Sequence, residues 1–127
     1  MTRRKHPEDS FHIAVARYLD LALPHDACWT TVEHGGKRTK AEAGKLKAKG
    51  LKPGWPDVQI IYRHRVILFE LKAPGGTLSA EQKLMHAQLS LAGALVYPGP
   101  VTCLEQVEGF LRGACVPLRA TTGAGAA

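Results

Sequence analysis

Phe11, Val15, Tyr18, Leu19 and Ala22 recur at the spacing of one helical face, behind Pro7 at a first helical position and ahead of Pro24. The pattern predicts a first helix from Pro7 that stops before Pro24. Residues 28–33 form a short β-prone run holding Trp, Val and Thr, broken by His34-Gly35-Gly36. The Ala residues and Leu46 between Gly36 and Pro53 allow a helix or a loop, with Gly50 as its C-terminal stop. Beyond Pro53-Gly54-Trp55-Pro56, two strand-like runs, 57–62 and 66–72, flank Arg63-His64-Arg65 and predict a β-hairpin. Ala73-Pro74-Gly75-Gly76 closes the second strand, and Ser79-Ala80-Glu81-Gln82 reads as a capping box opening a helix to near Gly93. A short strand over 94–97, a turn at Pro98-Gly99-Pro100, and a capping box of Thr102 with Glu105 follow. That last box would open a helix carrying Leu104, Val107, Phe110 and Leu111. The order α, β, basic helix or loop, β, β, α, β, α is that of a mixed α/β domain with an antiparallel hairpin in its sheet.

Composition narrows the function more than the fold. With 127 residues, 45% hydrophobic and 22% charged, the chain is expected to form one folded domain over 1–119, followed by a flexible Gly/Ala-rich tail over 120–127. Lys and Arg number 17 against 11 Asp and Glu, a formal charge of +6, which puts nucleic acid first among partners. Cys28, Cys103 and Cys115 are odd in number and form no CxxC pair, so neither a disulfide framework nor a zinc ribbon is expected, and a reducing cytoplasm fits. The basic start, Met1 to Lys5, leads into His6, Pro7, Glu8 and Asp9 with no apolar segment behind it, so no export signal is expected. No apolar run approaches the roughly 18 residues of a membrane span.

The chemistry concentrates on the hairpin. Side chains two apart in a strand share a face, so Glu70 and Lys72 lie together. A turn centred on Arg63-His64 sets Asp57 directly opposite Glu70, with Cβ atoms about 4.5–5.5 Å apart. Like charges that close disfavour one another unless a cation or a raised pKa relieves them. Mg²⁺ is the natural relief, since it is usually held by one or two carboxylates together with waters and phosphate oxygens. Such a site hydrolyses phosphodiesters, and Lys72 stands where it can orient the attacking water. A Glu and a Lys two apart are also common on solvated sheet faces. Here they end the apolar run Val66-Ile67-Leu68-Phe69-Glu70-Leu71-Lys72, where charges need a reason.

Gly54-x-x-Asp57, Glu70-x-Lys72 and Ser79-x-x-Gln82, in that order behind a helix beginning with Glu8, resemble the VRR-NUC family of the PD-(D/E)xK nuclease superfamily over about residues 7–112. The resemblance implies a restriction-endonuclease-like αβββαβ core that uses Mg²⁺, or Mn²⁺ in its place, to cut DNA to 5′-phosphate and 3′-hydroxyl ends. It implies Asp57 and Glu70 as metal ligands, the carbonyl of Leu71 as a further one, and Lys72 as the catalytic lysine. Gln82 would support that lysine or the scissile phosphate, and Glu8 would complete the acidic site from helix one. Glu8 and Asp9, its alternate, also suit a first helical turn on electrostatic grounds alone. Gln82 likewise has a structural task as a capping residue. His12 and His34 are left outside the site, since a lone His is more commonly packed or solvated than a ligand.

Lys37, Arg38, Lys40, Lys45, Lys47, Lys49 and Lys52, opposed only by Glu42, form a basic arm suited to backbone phosphates. Trp55 either stacks on an unpaired base or caps the core, and the core reading is favoured. Standalone members of the family look like homodimers that cut branched DNA such as four-way junctions, a geometry in which each subunit cuts one strand. The expected setting is replication, recombination or repair in a bacterial or phage-infected cell. The alternative is a non-catalytic nucleic-acid-binding module of a recombination or packaging assembly.

Overall fold

Apolar residues on alternate positions of the hairpin build one face of a sheet, and the helices before and after it supply the layer that covers that face. The elements run α1 (Pro7–Ala22), β1 (Cys28–Thr31), α2 (Lys40–Ala48), β2 (Val58–Tyr62), β3 (Arg65–Leu71), α3 (Ala80–Leu91), β4 (Leu95–Val101) and α4 (Leu104–Gly113). They are those of a computed structural model that describes residues 7–32 and 38–122. Lys37 and His34 lie outside the described residues.

The strands form one sheet in the order β1-β2-β3-β4. The first two pairings are antiparallel, and β3 and β4 are parallel, joined by α3 as the crossover. Val58, Ile60, Tyr62, Ile67, Phe69 and Leu71 face the main core, with Val15, Leu19 and Ala22 of α1 and Val107 and Leu111 of α4. The opposite face of β3 carries Leu68 and Glu70, both buried, and α3 supplies the buried His86 and Leu89. With neighbours on both edges, β3 is buried on both faces from Ile67 to Leu71, as inner strands are.

The hairpin has the anticipated register, Val58 opposite Phe69 through Tyr62 opposite Arg65. Arg65 therefore belongs to the strand, and the turn is Arg63-His64 alone, both left-handed at φ 46° and 67°, the two-residue geometry that follows strand twist. Arg63 is anchored there by Asp26 at 3.3 Å and lies over the Tyr62 ring.

Two expectations need correction at the other end of the chain. Pro98-Gly99-Pro100 is not a turn: β4 continues through it to Val101. Leu68 faces Val96 and Glu70 faces Pro100, so Tyr97, Pro98 and Gly99 form a bulge, with Gly99 at φ 104°. An edge strand tolerates proline because the missing N–H would face solvent, and a bulge absorbs the extra residues. Thr102 and Glu105 do not form a capping box. Cys103 is the N-cap of α4 without a side-chain bond, and Gln106 Oε1 instead accepts from the Thr102 amide at 2.7 Å. Ala120 packs against the core and Thr122 donates its hydroxyl to Glu108 at 2.8 Å, while residues 123–127 of the expected tail lie outside the described residues.

Helix α2 is of another kind. Thr39 caps it by accepting from the Glu42 amide at 3.1 Å, yet it buries no residue. A helix polar all round belongs to solvent or to a partner.

Candidate active site

β2 begins one residue after Asp57, and the hairpin's last rungs are made by side chains in place of backbone. The Asp57 amide donates to Glu70 Oε2 at 3.0 Å, and the Leu71 amide donates to Asp57 Oδ2 at 2.9 Å. Each carboxylate is thus fixed by the strand opposite. Gln82, at the start of α3, donates its side-chain amide to Glu70 Oε1 at 2.6 Å. Its own Oε1 accepts from the Ser79 amide at 2.9 Å, completing the anticipated capping box. Sequence position therefore becomes geometry: Asp57, Glu70, Leu71 and Gln82 converge at one end of the sheet.

Gly54 explains how the loop before Asp57 reaches α3. Its φ is 83°, and a Cβ there would lie 2.5 Å from the Glu81 carbonyl oxygen. Only glycine allows both the left-handed backbone and the close approach.

Glu70 is 3% exposed. Burial first, and the Asp57 charge second, push its pKa up to about 8, against the Asp57 amide and the Lys72 ammonium, which pull it down. Lys72 is half-buried, and its stem lies against Gly76, where an added Cβ would come within 2.8 Å of Lys72 Cβ.

Two histidines complete the surroundings. His12 of α1 places Nε2 3.9 Å from Asp57 Oδ2, too far for a hydrogen bond, and that nitrogen has no partner among the described residues. His86 of α3, 7% exposed, leaves both ring nitrogens without a partner among the described residues. Burial holds its pKa down, and the Asp57 charge acts in the opposite sense. His12, which the sequence reading leaves outside the site, stands beside Asp57 in the structure. Positions 12, 15 and 19 share the face of α1 that buries Val15 and Leu19, and His86 stands one turn after Gln82 on α3, so the docking of the two helices brings both rings toward the site.

Glu8 lies exposed in the first turn of α1, one turn before His12 on the same face, and Asp9 is exposed beside it. Neither makes a hydrogen bond or ion pair to the site among the described residues. Lys40, Lys45, Lys47, Lys49 and Lys52 are exposed along and just beyond α2, and Arg38 is half-buried before it. Arg38 and Lys47 line a pocket of about 210 Å³ that Glu81 closes from the first turn of α3, so the basic arm adjoins the helix that carries Gln82. Trp55 lies outside the core cluster, which takes Trp29 instead, against the expectation that it caps the core.

Among the described residues no three His, Cys, Asp or Glu side chains are grouped as a metal site. The residues present still fit one hard divalent cation: Mg²⁺ needs only one or two carboxylates, and Asp57 and Glu70 are fixed side by side at the ends of neighbouring strands.

No protein-family model matches the chain, and no curated protein does. Among solved structures, one described as "VRR_NUC domain protein" matches with a TM-score of 0.62 at 19% sequence identity, over 87% of this chain and 89% of its own. The two share a fold, a restriction-endonuclease-like mixed α/β architecture.

Proposed function

We propose that this chain is a divalent-metal-dependent nuclease that hydrolyses phosphodiester bonds in DNA. The observation that carries the reading is the acid pair: Asp57 and Glu70, each clamped by the other strand's backbone, with Glu70 pushed up to about 8 by burial and by the Asp57 charge. A carboxylate pair with one member buried and the other half-buried is costly when both are charged unless something relieves it, and Mg²⁺ or Mn²⁺ is the ligand class that would. The fold shared with a protein described as a VRR_NUC domain protein supports the same reading.

Asp57 and Glu70 would hold the ion, with the Leu71 carbonyl and the Glu8 carboxylate as further candidates. When bound, it supplies Lewis-acid stabilisation of phosphoryl oxygens and lowers the pKa of a bound water. Gln82 fixes the orientation of Glu70 from α3. Lys72 orients the attacking water and offsets the charge that develops on the phosphate. The α2 lysines neutralise phosphates along the strand without reading its bases. Branched DNA as the preferred substrate, a homodimer that makes paired cuts, and a role in bacterial or phage recombination or repair belong to this proposal.

Labelled junction, flap, fork and duplex substrates incubated with Mg²⁺ test it. Cleavage that disappears in Asp57→Asn and Glu70→Gln is the expected result; no cleavage of any substrate, or cleavage that survives both substitutions, refutes the proposal. A second reading, a nucleic-acid-binding module without catalysis, draws on the absence of a third ligand side chain beside the pair among the described residues. It requires binding that is indifferent to metal and to loss of Lys72.

A further inference from the structure

Trp55 is half-buried without serving the core. Its ring lines a pocket of about 290 Å³ together with Val32, Gly50, Leu51, Lys52 and Gln59. Gln59 Oε1 accepts from the indole N–H at 3.3 Å and so holds the ring by its edge. The backbone beneath is fixed by Gly54, wedged against α3. The far wall is tied to the acidic site, because the Val32 amide donates to the Asp57 carbonyl at 2.7 Å. An aromatic ring is therefore held rigid two residues before the first acid, with an exposed lysine in the same pocket and the α2 lysines beyond.

An apolar slot with one aromatic wall and a cation has the chemistry of a single nucleotide: a base packs on the indole and its phosphate meets the ammonium. The base must be unpaired, since a base within a duplex has its faces covered by its neighbours. We infer that Trp55 and Lys52 form a stacking subsite for one unpaired base next to the bond that is cut. The inference rests on the nuclease reading for its position in the reaction, and it specifies the substrate: DNA with single-stranded character beside the cut, such as a flap, fork or frayed junction arm. Stacking tolerates any base, so the subsite selects strand state rather than sequence.

The test separates the subsite from catalysis by omitting metal. The chain has two tryptophans, so Trp29→Phe leaves Trp55 as the sole indole emitter. Titration with oligo(dT) in EDTA is expected to quench that emission to saturation, while a duplex of equal length leaves it nearly unchanged. Trp29 packs against the core, so a second measurement keeps it: anisotropy of labelled oligo(dT) with the otherwise unaltered chain, Trp55→Phe and Trp55→Ala. Retained affinity in Trp55→Phe and a loss of about tenfold in Trp55→Ala support the subsite. Binding without quenching, equal quenching by duplex, undiminished affinity in Trp55→Ala, or no binding of oligo(dT) each overturns it. A chain that shows the quench but cleaves nothing with Mg²⁺ retains the subsite and loses the nuclease reading.

Discussion

Glu70 is held against its charged form by burial and by Asp57, and that has a measurable signature. Its folded pKa of about 8 lies above the ordinary 4.5, so between those values the folded chain keeps a proton that the unfolded chain has released. Stability from this group is complete below the unfolded value and is lost as pH rises through about 8. Thermal melts in EDTA should therefore fall in midpoint from pH 5 to pH 8, and Glu70→Gln should flatten the profile. Mg²⁺ or Mn²⁺ should restore the midpoint at pH 8 and do nothing for Glu70→Gln; a profile in EDTA that is already flat removes the argument for relief by a cation. Lys72, half-buried with its charge acting on Glu70, makes the complementary case. Lys72→Met should leave the melting midpoint and DNA binding near wild type while lowering single-turnover cleavage about 10²- to 10³-fold.

Among the elements, the loop before β2 and the start of α3 behave as one unit because Gly54 lets them touch. Gly54→Ala adds a Cβ against backbone, 2.5 Å from the Glu81 carbonyl, at a φ of 83°. It should cost at least about 1 kcal/mol in denaturant melts, and it should weaken cleavage further by moving Asp57 away from Gln82. What could be foreseen follows the same local logic. The hairpin register and the Ser79–Gln82 box were legible because turn symmetry and a three-residue spacing decide them. The β4 bulge was not, because Pro98-Gly99-Pro100 is a turn signal by composition and only pairing with β3 keeps it extended. The places of His12 and His86 depended on how α1 and α3 dock on the sheet, which no single stretch of sequence states. Trp55 was misjudged for a similar reason: its neighbours Gly54 and Pro56 suggested a packed corner, and the core had already been filled by Trp29.

Across the whole molecule, positive charge sits on a helix that the fold itself hardly needs. α2 buries nothing, so replacing Lys45, Lys47 and Lys49 with Gln should leave the melting midpoint within about 0.5 kcal/mol of equivalent stability. The same variant should lower the steepness of log K against log salt by up to about 3. An unchanged slope in filter binding or anisotropy would place the DNA on another surface.

Gln82 joins two tasks that proteins normally keep apart. One end of its amide closes a helix start and the other grips a buried acid at 2.6 Å. Glutamate serves as well as glutamine in the first task, but here it would press a third anion against Glu70. The helix can thus be strengthened anywhere except at its third residue, where any gain in rigidity that alters the side chain is also an edit to the chemistry.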